Sequence, residues 1–357
     1  MTAQQFDQAK ADAFAGRMLG ALNDASLTLM VVVGHKVGLF DTMATLPPST
    51  SEQIAAAAGL NERYVREWLG AMVTGRTVDY DPVAKTYHLS PEHAASLTRA
   101  AGPNNVAIFM QYVPMMASVE KGIIESFRNG GGVPYAAFTD FHTLAVEQSG
   151  VVQDASLLTT TLPAVPGQVD RLQRGIEVLD VGCGSGHALN LMARAFPQSR
   201  FTGYDFSAEG IAAGRAEAHA WGLTNAQFAV KDVATLDERS RYDFITAFDS
   251  IHDQAKPRAV LKGIAQALRP EGTFLLVDVA ASSQLEKNLD HVIGPFLYGI
   301  STFHCMTVSL ALGGEGLGTV WGEQKARELL HEAGFTQVDI KRVEKDVMNN
   351  YYIATKG

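Results

Sequence analysis

Apolar side chains recur along this chain with two periods, and the change from one to the other marks where one kind of structure gives way to another. From Ala11 to Val37 the positions are dominated by Ala, Leu, Met and Val, interrupted only by Asn23-Asp24-Ala25-Ser26. That polar break reads as a stop and restart and predicts two helices, the second capped within it. Both are too apolar to stand free in water, so they are expected to pack into a core, with part of the surface left for a second copy of the chain. Between Thr50 and Leu97 the pattern sharpens. SEQIAAAAGL predicts a short helix with Ser51 as cap and Gly59 as stop, and NERYVREWLGAMVTG a second helix capped by Asn61. Val78 and Tyr80, a turn at Asp81-Pro82, then Tyr87 and Leu89 predict a β-hairpin. Helix, turn, helix and hairpin together make a winged helix.

Residues 101–166 read as a helical connection. Phe109, Met110, Tyr112, Met115 and Met116 stand at helical spacing, followed by Arg128-Asn129-Gly130-Gly131-Gly132-Val133-Pro134-Tyr135 and then Phe138, Phe141 and His142. Two readings stay open: a stripe that packs into a core, or a cover over a ligand, since Met and aromatic residues beside a glycine-rich loop suit both. On the second reading Tyr135, His142 and Met115 are candidate substrate contacts.

From about residue 167 the period alternates between two and three to four. The apolar stretches FTGYD, AQFAV, YDFITAF and TFLLVDV are each separated by helical sequence, which predicts a doubly wound α/β sheet with ligand bound beyond the carboxyl ends of the strands. The first strand of this set organises the rest. IEVLDVGCGSG, Ile176 to Gly186, is an apolar β-branched run that carries Asp180 and breaks into Gly182, Cys183, Gly184 and Gly186, and helical sequence follows. Glycines there accept unusual backbone angles and let the main chain approach a ligand. A dinucleotide fingerprint G-x-G-x-x-G would need a third glycine where His187 stands, which speaks against an NAD-dependent oxidoreductase.

Composition narrows the field. At 357 residues, 46% hydrophobic and 19% charged, the chain can bury a large core and holds enough sequence for two domains. Its net charge of −9 argues against general nucleic-acid or anionic-membrane binding, so the expected partners are a small molecule and another copy of the chain. Two cysteines, Cys183 and Cys305, suit a reducing compartment. The segment MTAQQFDQAK lacks the order of a signal peptide, and no apolar run looks long enough to span a bilayer, so a cytoplasmic location is expected.

The glycine turn with its preceding acid resembles motif I of the class I S-adenosylmethionine-dependent methyltransferases, and the winged helix resembles the N-terminal dimerisation domain of many small-molecule O- and C-methyltransferases. The resemblance implies a Rossmann-like doubly wound methyltransferase sheet with an N-terminal winged-helix domain. It divides the chain into a dimerisation domain (1–100), a linker and substrate cover (101–166) and a donor-binding domain (167–357). S-adenosylmethionine would be the donor and S-adenosylhomocysteine the product. The strand ends then acquire roles. Asp205 would accept the ribose hydroxyls with Phe206 packing on the adenine, Asp232 would take the adenine amino group with the Val233 backbone at the ring, and Phe248 and Asp249 would stand where methyl group and acceptor meet. For each acid the plainer alternative is an ordinary helix cap.

Chemistry is expected in DSIHDQAKP, residues 249–257. Methyl transfer is an in-line displacement, so the enzyme holds the acceptor close and collinear and deprotonates it where needed. His252 suits a base, with Asp253 or Asp249 orienting its ring; the alternative is a histidine that merely bonds a backbone carbonyl. A second histidine, His304, lies in an excursion over residues 281–322. The pair His252-Asp253 and Phe303-His304 resembles the branch containing phenylpyruvate C-methyltransferase, which implies a ferric ion on two histidines and a 2-keto acid acceptor. Two histidines alone are a thin ligand set, so from the residues themselves no metal is expected. A rival reading from another class is a regulator that senses S-adenosylmethionine and binds DNA through the winged helix. Glu62 and Glu67 against Arg63 and Arg66 leave that helix locally neutral and speak against it.

Overall fold

The polar break at Asn23–Ser26 does not end a helix. In the computed structural model, which describes residues 6–139, 141–344 and 346–356 apart from the side chains of His142 and Val347, one helix runs unbroken from Gln8 to Lys36. The polar residues are accommodated on it: the Ser26 hydroxyl donates to Leu22 O (2.9 Å) and the Thr28 hydroxyl to Asp24 O (2.8 Å), each one turn back. Asp7, not a residue of the break, caps its start by accepting from the Lys10 amide. The fusion also corrects the expectation about bilayer-spanning length, since Gln8–Lys36 is long and apolar enough to cross a membrane by length and composition. Phe14, Leu19, Leu22, Leu29 and Val33 stand exposed along it.

The chain divides between Met115 and Met116 into two compact units. In the first, Thr50 rather than Ser51 caps the helix Ser51–Ala58, through a capping box with Gln53, and the Ser51 hydroxyl instead donates to Glu62 (2.7 Å). Gly59 ends that helix in the left-handed region, and Asn61 caps the next one, Glu62–Thr74, as expected. Strands β1 (Asp79–Asp81) and β2 (Thr86–His88) form the antiparallel hairpin, with Tyr80 opposite Tyr87. The core of this unit forms around Trp68, whose Nε1 donates to Met30 O at 2.8 Å. Gly34 lets the indole in, because a Cβ there would lie 2.5 Å from Trp68 Cζ2.

The second unit is built on a seven-stranded sheet of β3 (Glu177–Val181), β4 (Arg200–Asp205), β5 (Ala226–Val230), β6 (Tyr242–Phe248), β7 (Leu268–Val279), β8 (Gln337–Val343) and β9 (Asp346–Thr355). Their order is β5-β4-β3-β6-β7-β9-β8. The five strands from β3 to β7 are parallel, and β9 enters antiparallel to both β7 and β8. Side chains alternate between two apolar layers: Val178, Phe244 and Leu275 face one, Leu179, Ile245 and Leu276 the other. A sheet buried on both faces explains why its strands read as continuous apolar runs. The order reverses between β3 and β6, the switch point at which sheets of this kind bind their ligands.

The excursion after β7 is helical: Gly294–Ile300, then a π-helical turn Ser301–Cys305, then Met306–Ala311. Such turns concentrate at functional sites, and this one carries His304. The glycine-rich return fastens onto the loop after β6. Gly318 N donates to His252 O (3.0 Å) and Glu315 N to Ala255 O (3.0 Å), and Gly314 has room for no side chain against Ala255.

Candidate functional site

β3 ends in a turn in which Gly182, Gly184 and Gly186 all have positive φ, 70°, 54° and 71°. Their surroundings differ. A Cβ on Gly182 would lie 2.6 Å from the Ser250 side chain and one on Gly186 would enter the Phe228 ring, whereas nothing lies within 4 Å of a Cβ on Gly184. The turn is therefore packed on its inner side and open at Gly184. Both Gly182 N and Cys183 N donate to Tyr204 O, which locks the turn to β4. Asp205, at the end of β4, accepts from Gly184 N through Oδ2 and from Ser207 N through Oδ1, both at 2.8 Å. An ionised carboxylate has about four acceptor sites. Both of these bonds hold the carboxylate against the glycine turn and the start of the next helix.

The other residues expected to meet the donor are placed as follows. Asp180 is buried, accepts from the Thr246 hydroxyl (2.8 Å), and is pushed up to about 7 by burial, against the Thr246 bond and with help from Asp205. The Cys183 thiol is likewise pushed well up by burial and then by the neighbouring Asp180 and Asp205. Phe206 is exposed beside Asp205. Asp232 is exposed and caps a short 3-10 turn by accepting from Ala234 N (2.9 Å), the plainer of its two roles, while Val233 is buried in the core. Phe248 closes β6, and Asp249 follows it with a φ of 46°, a conformation uncommon for a residue with a side chain.

In the loop after β6 the outcome differs from expectation in one respect. The ring of His252 is oriented neither by Asp253 nor by Asp249 but by Asp278, near the end of β7. His252 Nδ1 and Asp278 Oδ1 are 2.8 Å apart and both residues are buried. The same Oδ1 accepts from Trp321 Nε1 (3.2 Å), and Oδ2 has no partner. Burial opposes a charge on His252, but Asp278 and then Cys305 outweigh it and hold its pKa well above the usual histidine value. Asp249 is open to solvent yet ringed by protein that raises it to about 7, with Asp278 adding to the rise. Asp253 is raised to about 6 by burial, against the pull of His252.

His304 is buried with Nε2 unpartnered, and Cys305 Sγ lies 3.7 Å from its Nδ1. Burial and then the charge of His252 push it down to about 3, so it is neutral in ordinary buffers. Among the described residues one group of three could hold a metal ion, Asp249, His252 and Asp278, whose ligand atoms lie within 4.8 Å of one another. That set contains His252 but replaces His304 by two carboxylates. Tyr135 sits between the two halves, its ring 5.4 Å from Phe206 and 5.9 Å from His304. Its hydroxyl is pushed up by burial and then by Asp253, Asp205 and Glu209. Met115 belongs to the first unit and is buried, and the side chain of His142 lies outside the described residues. Asp278 and Trp321 escaped the sequence reading, although an acid inside TFLLVDV, near the end of the fifth strand, was a usable signal.

Comparison with known proteins follows this division. A model of an Rv2258c-like winged HTH domain matches residues 25–99, and a model of a methyltransferase domain matches residues 172–338. The fatty-acid O-methyltransferase of Mycolicibacterium smegmatis is 33% identical over 104 residues, 29% of this chain and 37% of that protein. The chain thus matches well under two thirds of that relative's length. In fold, human N-acetylserotonin methyltransferase, solved in complex with SAM, superposes with a TM-score of 0.69 at 16% identity over 100% of both chains. The mitomycin 7-O-methyltransferase does so with a TM-score of 0.70 at 17% identity over 98% of this chain and 100% of its own. The chain thus carries, in this order, an Rv2258c-like winged helix–turn–helix domain and a methyltransferase domain, on the seven-stranded sheet described above.

Proposed function

We propose that the protein methylates a small-molecule acceptor, with His252 as the base that removes the acceptor's proton. The observation that carries this reading is the buried pairing of His252 with Asp278 at the strand ends beside the glycine turn. Asp278 fixes the ring through Nδ1 and leaves Nε2 as the atom that takes the proton. S-adenosylmethionine supplies the methyl group on a sulfonium carbon. Asp180, Gly182, Cys183, Gly184, Gly186 and Asp205 hold the donor's polar groups, and Phe206, Asp232, Val233, Phe248 and Asp249 complete its site. Asp253 and His304 neighbour the base, and Tyr135 faces the acceptor. Calorimetry with S-adenosylhomocysteine tests the donor site, and turnover of His252→Gln tests the base. Binding retained with turnover lost supports the reading, and no binding of S-adenosylhomocysteine overturns it.

The organisation proposed with it is a winged-helix dimerisation domain over 1–100, a helical linker and cover over 101–166 and the methyltransferase domain over 167–357. The exposed apolar residues along Gln8–Lys36 favour a homodimer, and the i,i+4 pairs Arg63–Glu67 and Arg66–Glu62 occupy the cations of the second winged-helix helix, which favours small-molecule work over DNA binding. The two free cysteines suit the cytoplasm. A second reading is carried by the clustered Asp249, His252 and Asp278: a cation held there would take a chelating acceptor such as a 2-keto acid. Metal content of untagged protein and of Asp249→Asn decides it, since stoichiometric metal lost in the variant makes His252 a ligand instead of a base.

A further inference from the structure

The Phe141 ring lies face to face on the His304 imidazole, with centroids 3.8 Å apart and planes 21° from parallel. Phe138 and Tyr135 meet the same imidazole at steep angles, 4.8 and 5.9 Å away. The imidazole is 2% exposed and its Nε2 has no hydrogen-bond partner. A buried ring nitrogen in that state forfeits a bond that water would have supplied. Together these groups form a slot with one aromatic face, aromatic edges and one polar corner. Phe141 fills the slot, but a hydrocarbon ring cannot serve the corner.

Phe141 is the first residue of the helix Phe141–Ser156 and is only half-buried. A change of its side-chain rotamer can therefore carry the ring toward solvent without unfolding the helix. The other walls are held in place. Val133 N donates to the buried Thr307 hydroxyl (2.8 Å), and Gly132 is pressed so closely on Thr307 O that no side chain fits there. His304 itself sits in the π-helical turn Ser301–Cys305. The plug is thus the part of the slot best able to leave.

We propose that Phe141 is an internal occupant of the acceptor subsite, and that the acceptor is a planar aromatic molecule that displaces it, stacks on His304 and places a polar ring substituent at the orphaned Nε2. This rests on the methyltransferase reading and narrows its acceptor to a class. Burial and the charge of His252 both push the His304 pKa down and keep its ring neutral. Tyr135 links the slot to Phe206 and so to the donor side. A neutral imidazole offers a stacking face without asking an aromatic ring to pair with a fixed charge. Because the acceptor binds only those molecules whose slot is open, occupancy by Phe141 raises its apparent dissociation constant by the inverse of the open fraction.

The test uses 2-naphthol and its saturated counterpart decahydro-2-naphthol, titrated calorimetrically into the wild-type chain, Phe141→Ala and Phe141→Trp, with and without S-adenosylhomocysteine. Phe141→Ala should bind 2-naphthol about tenfold more tightly, a change of about 1.4 kcal/mol. Phe141→Trp, a larger plug, should bind it about tenfold more weakly, and decahydro-2-naphthol should change by less than about threefold in either variant. Unchanged 2-naphthol affinity, a shift in the same direction in both variants, or an equal gain for the saturated compound would overturn the proposal. If Phe141→Ala fails to fold, the loss in Phe141→Trp carries the test alone. Failure to bind S-adenosylhomocysteine is a separate outcome, and it counts against the donor reading while the naphthol titrations without it still judge the slot.

Discussion

His252 Nδ1 lies 2.8 Å from Asp278 Oδ1, an oxygen that also accepts from Trp321 Nε1 at 3.2 Å. One carboxylate therefore ties the loop after β6 to the end of β7 and to the return of the excursion.

Replacing Asp278 by Asn should lower kcat by roughly 10²–10⁴-fold, the usual range for a displaced general base. The pH profile gives the sign. A base acts when neutral, so activity rises as pH climbs through the folded pKa of His252, which Asp278 holds above the usual value. Removing the negative charge lowers that pKa, and the rising limb of kcat/KM against pH should move to lower pH even as the plateau falls. An unmoved limb with a lower plateau would mean that Asp278 acts on packing alone.

The same pair contributes to stability in a defined window. A histidine whose folded pKa is raised stabilises the fold fully below its unfolded value of about 6.5 and progressively less as pH rises through the folded value. Urea midpoints of His252→Gln and the wild-type chain should therefore differ most at low pH and converge at high pH. A gap that widened with pH would contradict the charge pairing.

Asp180 runs the other way. Its carboxyl is raised to about 7 by burial, and the Thr246 hydroxyl partly opposes that rise. If the ionised form meets the donor's ammonium, S-adenosylhomocysteine should bind more tightly as pH rises through about 7. Thr246→Val removes the opposing bond, so the midpoint of that dependence should shift to higher pH. Calorimetry across pH 5.5–8.5, roughly the span in which such a carboxyl titrates, reads both effects.

The three glycines of the turn should not be equivalent. Gly184→Ala meets open space and suffers only the strain of positive φ, about 1–2 kcal/mol. Gly186→Ala adds a clash with the buried Phe228 ring and should cost at least about 2 kcal/mol more, in the range of core overpacking. Denaturant midpoints rank the two, and the reverse order would mean that the turn relaxes around residue 186 more easily than its packing suggests.

Much of the fold was legible because it is written in local pattern. IEVLDVGCGSG identified the strand and turn that organise the second unit, and Gly59 and Asn61 marked a helix stop and start without any tertiary help. The misreadings have local causes too. Asn23–Ser26 looked like a break because such residues compete for backbone bonds, yet Ser26 and Thr28 bond back along the helix and leave it intact. Ser51 and Thr50 are adjacent cap-forming residues, and only the partner Gln53 decides between them.

What the sequence by itself determined, then, was most of the elements, the alternation of strand and helix, and the glycine turn, and it offered two histidines as candidates for the chemistry. These follow from periodicity and side-chain type, which act over a few residues. What only the tertiary structure decided was which groups meet. Asp278 is 26 residues from His252 and Trp321 is 43 from Asp278, and sequence spacing says nothing about pairs at such separations. Parallel strands bring their carboxyl ends together across long crossovers, so the partners in this site were chosen by the order of strands in the sheet and by how the excursion folds back over them.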